Sequence, residues 1–397
     1  MAVAVVNRYR QPSPGWSEAV EAPFRADDIT ALHHSIPEYK PTPLVHLPGL
    51  VSELGVGGLV VKDEAHRFGL KAFKALGASY AIYRYVKAYL AGQSLPCPAP
   101  SEFYSWRDIL RKGELTLCTA TDGNHGRGVA WTARKLDQGA VIYMPNNSAP
   151  ARVQNIRGEN AKVVLVDGTY DDAVTRCARD AAVNRWQTVS DTSWTGYEEI
   201  PRWIMAGYLT LFREIENDIG QNVRIDLVLV QGGVGALAAA AAWYFRRESP
   251  WPQVTLVSVE PTEAACLLES ISSPSGEPVL SRGRQNSIMA GLNCGTPSLV
   301  AWPLIKLGFD MFLAIDDSSC VDAMRRFYHP SGNDTRVISG ESGAAGLAAL
   351  LSLTGDSSLE HVRRSLPLTP DSTVLLLNTE GDTDPDGFRS RVGKNKL

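Results

Sequence analysis

Along the chain, hydrophobic and polar positions show little order before residue 41 and strong order after it. Residues 1–40 are broken by Pro12, Pro14, Pro23 and Pro37 and sustain no regular repeat, which predicts an extended arm lying on the surface or on a partner subunit. The apolar run from Leu59 reads as a buried strand ending near Glu64. Phe73 to Leu90 then carries apolar residues at helical spacing, and the turn-rich stretch Gln93 to Pro100 stops it. From Leu115 onward, short β-rich runs (115–119, 140–144, 161–166) alternate with helical stretches (126–136, 149–159, 170–186). A second set follows, with strand-like runs at 227–230, 254–259 and 374–377 and helical ones at 236–247, 321–328 and 343–351. Such alternation predicts βαβ units around parallel sheets, an α/β fold of two lobes with a ligand cleft between them at the carboxyl ends of the strands. The expected division is an arm at 1–40, a large lobe from 41–114 and 215–397, and a small lobe at 115–214. Ser270 to Arg284, rich in Ser, Pro and Gly, is a candidate mobile loop.

Composition narrows the function classes. The 397 residues are 44% hydrophobic, enough for a sizeable core, and the formal charge of -4 comes with no basic cluster longer than an Arg pair. Nucleic acid is therefore not an expected partner. No apolar run reaches the roughly 18 to 20 residues that span a bilayer, and no leader pattern opens the chain, so a soluble, cytoplasmic protein is expected. Six cysteines show no metal-type spacing and read mostly as buried free thiols, with no metal site. Cys266 and Cys294 are a possible pair that only a structure can test.

Three segments carry candidate chemistry. Gln231-Gly232-Gly233-Val234-Gly235-Ala236 follows the apolar run 227–230 and precedes an alanine-rich helical stretch. A strand, a glycine turn and a helix N-terminus bind phosphate through backbone N–H groups and the helix dipole. A dinucleotide turn has the same outline, and Glu260 after the next strand keeps that alternative open. The second segment, Gly69-Leu70-Lys71-Ala72-Phe73-Lys74-Ala75-Leu76-Gly77, holds two lysines among apolar neighbours. The third is Thr121-Asp122-Gly123-Asn124-His125-Gly126, fifty residues further on.

The lysine segment and the asparagine loop together resemble those of fold-type II pyridoxal-phosphate (PLP) enzymes. Residues from about Tyr39 to Asp384 are similar to the diaminopropionate ammonia-lyase branch of that superfamily, on three runs: Asp122 to Trp131, Asp191 to Tyr208, and Ser339 to Gly346. The resemblance implies two open twisted parallel-sheet lobes, PLP as cofactor, a small amino-acid substrate and a homodimer. It makes Lys74, after the aromatic Phe73, the Schiff-base lysine in preference to Lys71. Gly232, Gly233, Val234, Gly235 and Ala236 become the phosphate cradle, and Asn124 the partner of the cofactor's phenolic oxygen. Thr121, Gly123 and His125 are expected to donate to the substrate carboxylate, and Glu341 and Thr379 to flank the ring edge and the pyridine nitrogen.

Most fold-type II enzymes have Ser or Thr where this chain has Asp122. A carboxylate there offers a second base at Cα opposite Lys74, unless it merely caps the loop. Asp191 is expected to orient the substrate amine or leaving group, a plain helix cap being its alternative. The implied activity is α,β-elimination of D- or L-2,3-diaminopropionate to pyruvate and ammonia. Elimination or β-replacement on another amino acid, and a non-catalytic ligand-binding protein on the same scaffold, remain alternatives.

Overall fold

The computed structural model describes residues 2–97, 99–220 and 223–393. Residue 1 and residues 394–397, the outer ends of the expected arm and large lobe, lie outside the described residues. In chain order the strands are β1 (Val3–Val6), β2 (Leu44–His46), β3 (Gly58–Asp63), β4 (Thr116–Ala120), β5 (Gly139–Pro145), β6 (Lys162–Val166), β7 (Gln187–Thr188), β8 (Leu227–Gln231), β9 (Thr255–Pro261), β10 (Met311–Ile315) and β11 (Thr373–Asn378). They form a larger sheet of order β1-β10-β9-β8-β11-β3-β2 and a smaller one of order β6-β5-β4-β7.

Why the central strands read as unbroken apolar runs is plain from their burial. Along β8, Val228 and Val230 enter one core with the helix Ala236–Arg247, while Leu227 and Leu229 enter another with the helix Glu341–Gly355. The neighbouring β11 divides the same way, Leu375 and Leu377 against Val374 and Leu376. A parallel strand covered on both faces has no polar side to show.

One expectation is refined and one is corrected. The larger sheet is parallel except at its edges, where β1 runs antiparallel to β10 and β2 antiparallel to β3. The first forty residues are not an extended surface arm: β1 completes the sheet, and the helix Asp28–His34 buries Ile29 and Leu32 in the core. A four-residue edge strand is too short to display a repeat, so its pairing was invisible in the pattern. His33 ties this segment inward, with Nδ1 2.6 Å from Thr210 Oγ1 and Nε2 2.9 Å from the Leu76 carbonyl.

Candidate active site

The segments after β3, β4, β7, β8 and β11 all leave the carboxyl ends of their strands and meet in one cleft of about 750 Å³. Lys74 reaches it along a tightly wound path. Phe68, Gly69 and Lys71 all adopt left-handed φ, at 50°, 71° and 60°, a cost that surrounding contacts must offset. Arg67, fully buried, donates to Glu214 Oε1 and to Glu64 Oε1, each at 2.7 Å, and Glu214 also accepts from Lys62 at 2.8 Å. On the far side Phe73 N donates to the Thr379 carbonyl at 3.2 Å, and Gly381 N to the Lys71 carbonyl at 2.9 Å. The segment is thus stitched to the end of β11, and Lys74 stands just before the helix Ala75–Gly92 with its amine in the cleft. Lys71 points away, half exposed and paired with Asp382 at 2.6 Å.

Lys74 Nζ lies 2.6 Å from Asp191 Oδ2. Burial presses the amine's pKa down, but the Asp191 carboxylate more than offsets it and the net shift is upward. The same contact works on Asp191: burial raises its carboxyl, yet Lys74, the leading opposing charge, holds it at about 2. Asp191 caps no helix, since the next helix begins at Glu199.

In the loop after β4, Thr121 Oγ1 accepts from Gly123 N at 2.9 Å and from Gly126 N at 3.0 Å. Thr121 therefore does the capping, and the Asp122 carboxylate is left in the cleft without a hydrogen-bond or ion-pair partner among the described residues. Burial pushes its pKa up to about 7, with Arg152 the main opposing influence. Gly126 must be glycine, because a Cβ there would stand 2.3 Å from Thr121 Cγ2 and 2.6 Å from Ile142 Cγ2.

Two of the expected carboxylate donors are otherwise engaged. The Gly123 N–H is spent on Thr121. His125 Nε2 lies 2.7 Å from the Val189 carbonyl, which can only accept, so Nε2 carries the proton. Burial lowers the pKa of His125 and keeps the ring neutral, leaving Nδ1 a lone pair 4.0 Å from Asp191 Oδ2. His125 thus presents an acceptor beside another acceptor, an environment for an ammonium group rather than for a carboxylate. Among the expected three, the Thr121 hydroxyl hydrogen remains available.

The opposite wall is built from backbone. Gly232, Gly233, Val234 and Ala236 line the cleft ahead of the helix Ala236–Arg247, with Gly233 at φ 60° and Gly235 at φ 100°. A Cβ on Gly232 would come within 2.7 Å of Glu260 Cγ, and one on Gly235 within 2.5 Å of Ile305 Cδ1. Glu260 is buried and accepts from Leu267 N and Leu268 N, both at 2.8 Å. It serves the next helix and offers nothing to a ribose, which removes the dinucleotide alternative. Cys266 and Cys294 flank Gly233 as free thiols and do not pair.

At the end of β11, Thr379 lines the cleft as expected, and so does Asn124 across from it. Glu341 does not. It faces an adjoining cavity, where Arg391 Nη1 lies 3.0 Å and Arg152 Nη2 3.5 Å from its two oxygens. Glu380 takes the cleft position instead, accepting from Asn124 Nδ2, from Ser342 N at 3.0 Å and from Thr383 Oγ1 at 3.3 Å. Arg152, Tyr170 and Glu380 line the cleft and were not singled out from the sequence, and Cys294, which lines it too, was noted only as a possible partner of Cys266. Only Glu380 had a signal, its place beside Thr379; a buried arginine in an amphipathic helix looks like a solvated one.

A glycine wall ahead of a helix, a cleft lysine two strands away and an Asn–Glu pair between them fit a planar, phosphorylated aldehyde. The sequence agrees: residues 36–369 match the family described as pyridoxal-phosphate dependent enzyme, and the chain belongs to that family. It is 40% identical over 373 residues to the diaminopropionate ammonia-lyase of Salmonella typhimurium, covering 92% of this chain and 91% of the relative. The crystal structure of the Escherichia coli diaminopropionate ammonia-lyase in complex with D-serine superposes with a TM-score of 0.89 at 36% identity, over 100% of this chain and 98% of that one. A second structure of that enzyme, in complex with an aminoacrylate-PLP azomethine reaction intermediate, gives 0.86 at 37% identity, over 100% and 98%. The fold class is that of the fold-type II enzymes, and the cofactor is PLP. Among the described residues no helix is long and apolar enough to cross a membrane.

Proposed function

We propose that this chain eliminates ammonia from 2,3-diaminopropionate, D or L, taking one water and giving pyruvate and two ammonia. The observation that carries the reading is the Asp122 carboxylate, without a hydrogen-bond or ion-pair partner among the described residues and supplied to the cleft by the lobe opposite Lys74. The cofactor, when bound, supplies an electrophilic aldehyde for the substrate's α-amine and an electron sink at Cα.

What the protein supplies is position and proton transfer. Residues 232–236 would hold the phosphate, Lys74 would hold the aldehyde carbon, and Asn124, kept in place by Glu380, would face the ring. Thr379 would offer a neutral hydroxyl at the pyridine edge. Lys74 takes the Cα proton from one enantiomer, and Asp122 takes it from the other. Asp191 and the Nδ1 lone pair of His125 hold the substrate's second amine as an ammonium, the protonated form in which it departs as ammonia. The setting is a cytoplasmic homodimer.

Asp122→Asn tests the reading, since it keeps the side chain's size but removes its basicity. D-isomer turnover is expected to fall on the order of 10²-fold or more, and the L-isomer far less. Pyruvate release from each isomer measures it; equal losses, or full activity on the D-isomer, would remove Asp122 as an enantiomer-specific base.

A further inference from the structure

Arg152 has no role in the scheme above, yet it stands where the catalytic cleft meets the adjoining cavity. It belongs to the helix Pro150–Arg157 of the small lobe, is 7% exposed, and lines both the catalytic cleft and the adjoining cavity of about 1320 Å³. Among the described residues only Asp122 and Tyr170 share that position between the two. Its methylenes lie under the loop that carries Asp122: a Cβ on Gly123 would be 3.1 Å from Arg152 Cδ and 3.4 Å from Cβ and Cγ.

The guanidinium is anchored across the lobes. Nη2 is 3.5 Å from Glu341 Oε2, and Arg391 Nη1 holds the other oxygen of that carboxylate at 3.0 Å. Nε is buried with no partner among the described residues. Glu380, Glu341, Asp122 and Asp384 all act on this one cation, which makes it a poor receptor for a further anion such as the substrate carboxylate.

We propose that Arg152 is a positioning residue for Asp122, a counter-charge fixed on Glu341 of the other lobe that readies this carboxylate to take a proton from one enantiomer. The proposal rests on the reading of Asp122 as that base. The groups that act on Asp122 are Arg152 and Lys74 as cations, Asp191 and Asp171 as carboxyls, and Tyr170 and Cys294. Burial pushes the last two upward, so both are neutral at pH 7. Burial, Asp191 and Asp171 all favour protonated Asp122; Arg152 is the leading influence against them, ahead of Lys74. Removing that cation raises the pH needed to ionise the base.

The test compares pH profiles of kcat/KM for D- and L-2,3-diaminopropionate in the holoenzyme and in Arg152→Gln, Arg152→Lys and Asp122→Asn, with visible absorbance and thermal melting confirming cofactor loading and folding. Arg152→Gln is expected to move the acid limb of the D-isomer profile upward by on the order of one pH unit, an approximately tenfold loss at pH 6, without displacing the L-isomer limb. Arg152→Lys, which keeps the charge, is expected to return the D-isomer limb toward its wild-type position. A D-isomer limb that stays in place, or D and L limbs that move together, overturns the proposal. Should Arg152→Gln fail to fold, Glu341→Gln, which frees the anchor, must alter the D-isomer limb alone, and any other pattern overturns it. Asp122→Asn separates the two ideas: equal losses on both isomers remove the base itself, whereas a D-selective loss with an unmoved Arg152→Gln profile removes only the role of Arg152.

Discussion

The cleft wall at residues 232–236 carries no charged side chain, whereas the wall facing it gathers Asp122, His125, Arg152 and Asp191. The first is suited to hold an anion by backbone geometry, through left-handed glycines and the first turn of a helix, whose N–H groups have no intrahelical acceptor. Such a grip would vary little with pH. On the second wall burial and neighbouring charges set each group's protonation: Asp191 held at about 2, Asp122 raised to about 7, His125 kept neutral. Binding and proton transfer are thereby assigned to different walls, and Lys74, ion-paired to Asp191, is where they meet.

Breaking that meeting point should have the largest effect. Lys74→Ala removes both the covalent anchor and one base, and turnover of either isomer is expected to fall on the order of 10⁴-fold, with loss of the Schiff-base absorbance. Lys71→Ala, on the outward-facing lysine, should change activity by no more than a fewfold. Borohydride reduction and peptide mapping separate the two, because label on Lys71 would reverse the assignment.

The next effect belongs to the charged wall alone. Asp122 must be ionised to accept a proton, and its pKa stands near 7 because burial outweighs Arg152 and Lys74. Well below that value the ionised fraction falls tenfold per pH unit, so kcat/KM for the D-isomer should drop about fivefold between pH 7 and 6 and about tenfold more by pH 5. The L-isomer, which relies on Lys74, should lack this limb. Superimposable profiles for the two isomers would mean that Asp122 does not divide the work.

The backbone wall was also the more legible in the sequence. Glycines at 232, 233 and 235 between an apolar run and an alanine-rich stretch declare a turn whatever surrounds them, since the conformation is local. Lys74 and Asn124 were legible as members of two motifs at a fixed distance. The charged wall was legible only in part. Asp122 stood out as a carboxylate where the wider superfamily has a hydroxyl, but Arg152 and Tyr170 lie in and at the start of ordinary-looking helices. What makes them part of the site is which face the tertiary packing buries. Glu341 was misplaced for the same reason: Glu341 and Glu380 both leave strand or helix ends near the ring, and only the ion pairs with Arg391 and Arg152 draw Glu341 into the adjoining cavity. His125 was found as a cleft residue but the engagement of its Nε2 was not legible, because the acceptor that fixes its tautomer, the Val189 carbonyl, is 64 residues away.

The smallest expected effect sharpens the comparison from the uncharged side. Gly233 has room for a side chain, the nearest atoms to a Cβ being the Gly291 carbonyl oxygen and Leu292 Cδ2 at 3.6 Å and Cys294 Sγ at 3.7 Å. Its φ of 60° is a conformation that Asn and Asp adopt at less cost than other residues. Gly233→Asn and Gly233→Asp therefore place side chains of nearly one shape at the cradle, and differ by a negative charge beside the phosphate. If this wall works by being uncharged, Gly233→Asp should bind PLP about tenfold more weakly than Gly233→Asn, a difference of roughly 1.4 kcal/mol, while Gly233→Asn stays close to wild type. Cofactor titration followed by absorbance measures both. Wild-type affinities in both variants would mean that the phosphate sits away from Gly233, and equal weakening would mean that the turn binds by shape without regard to charge.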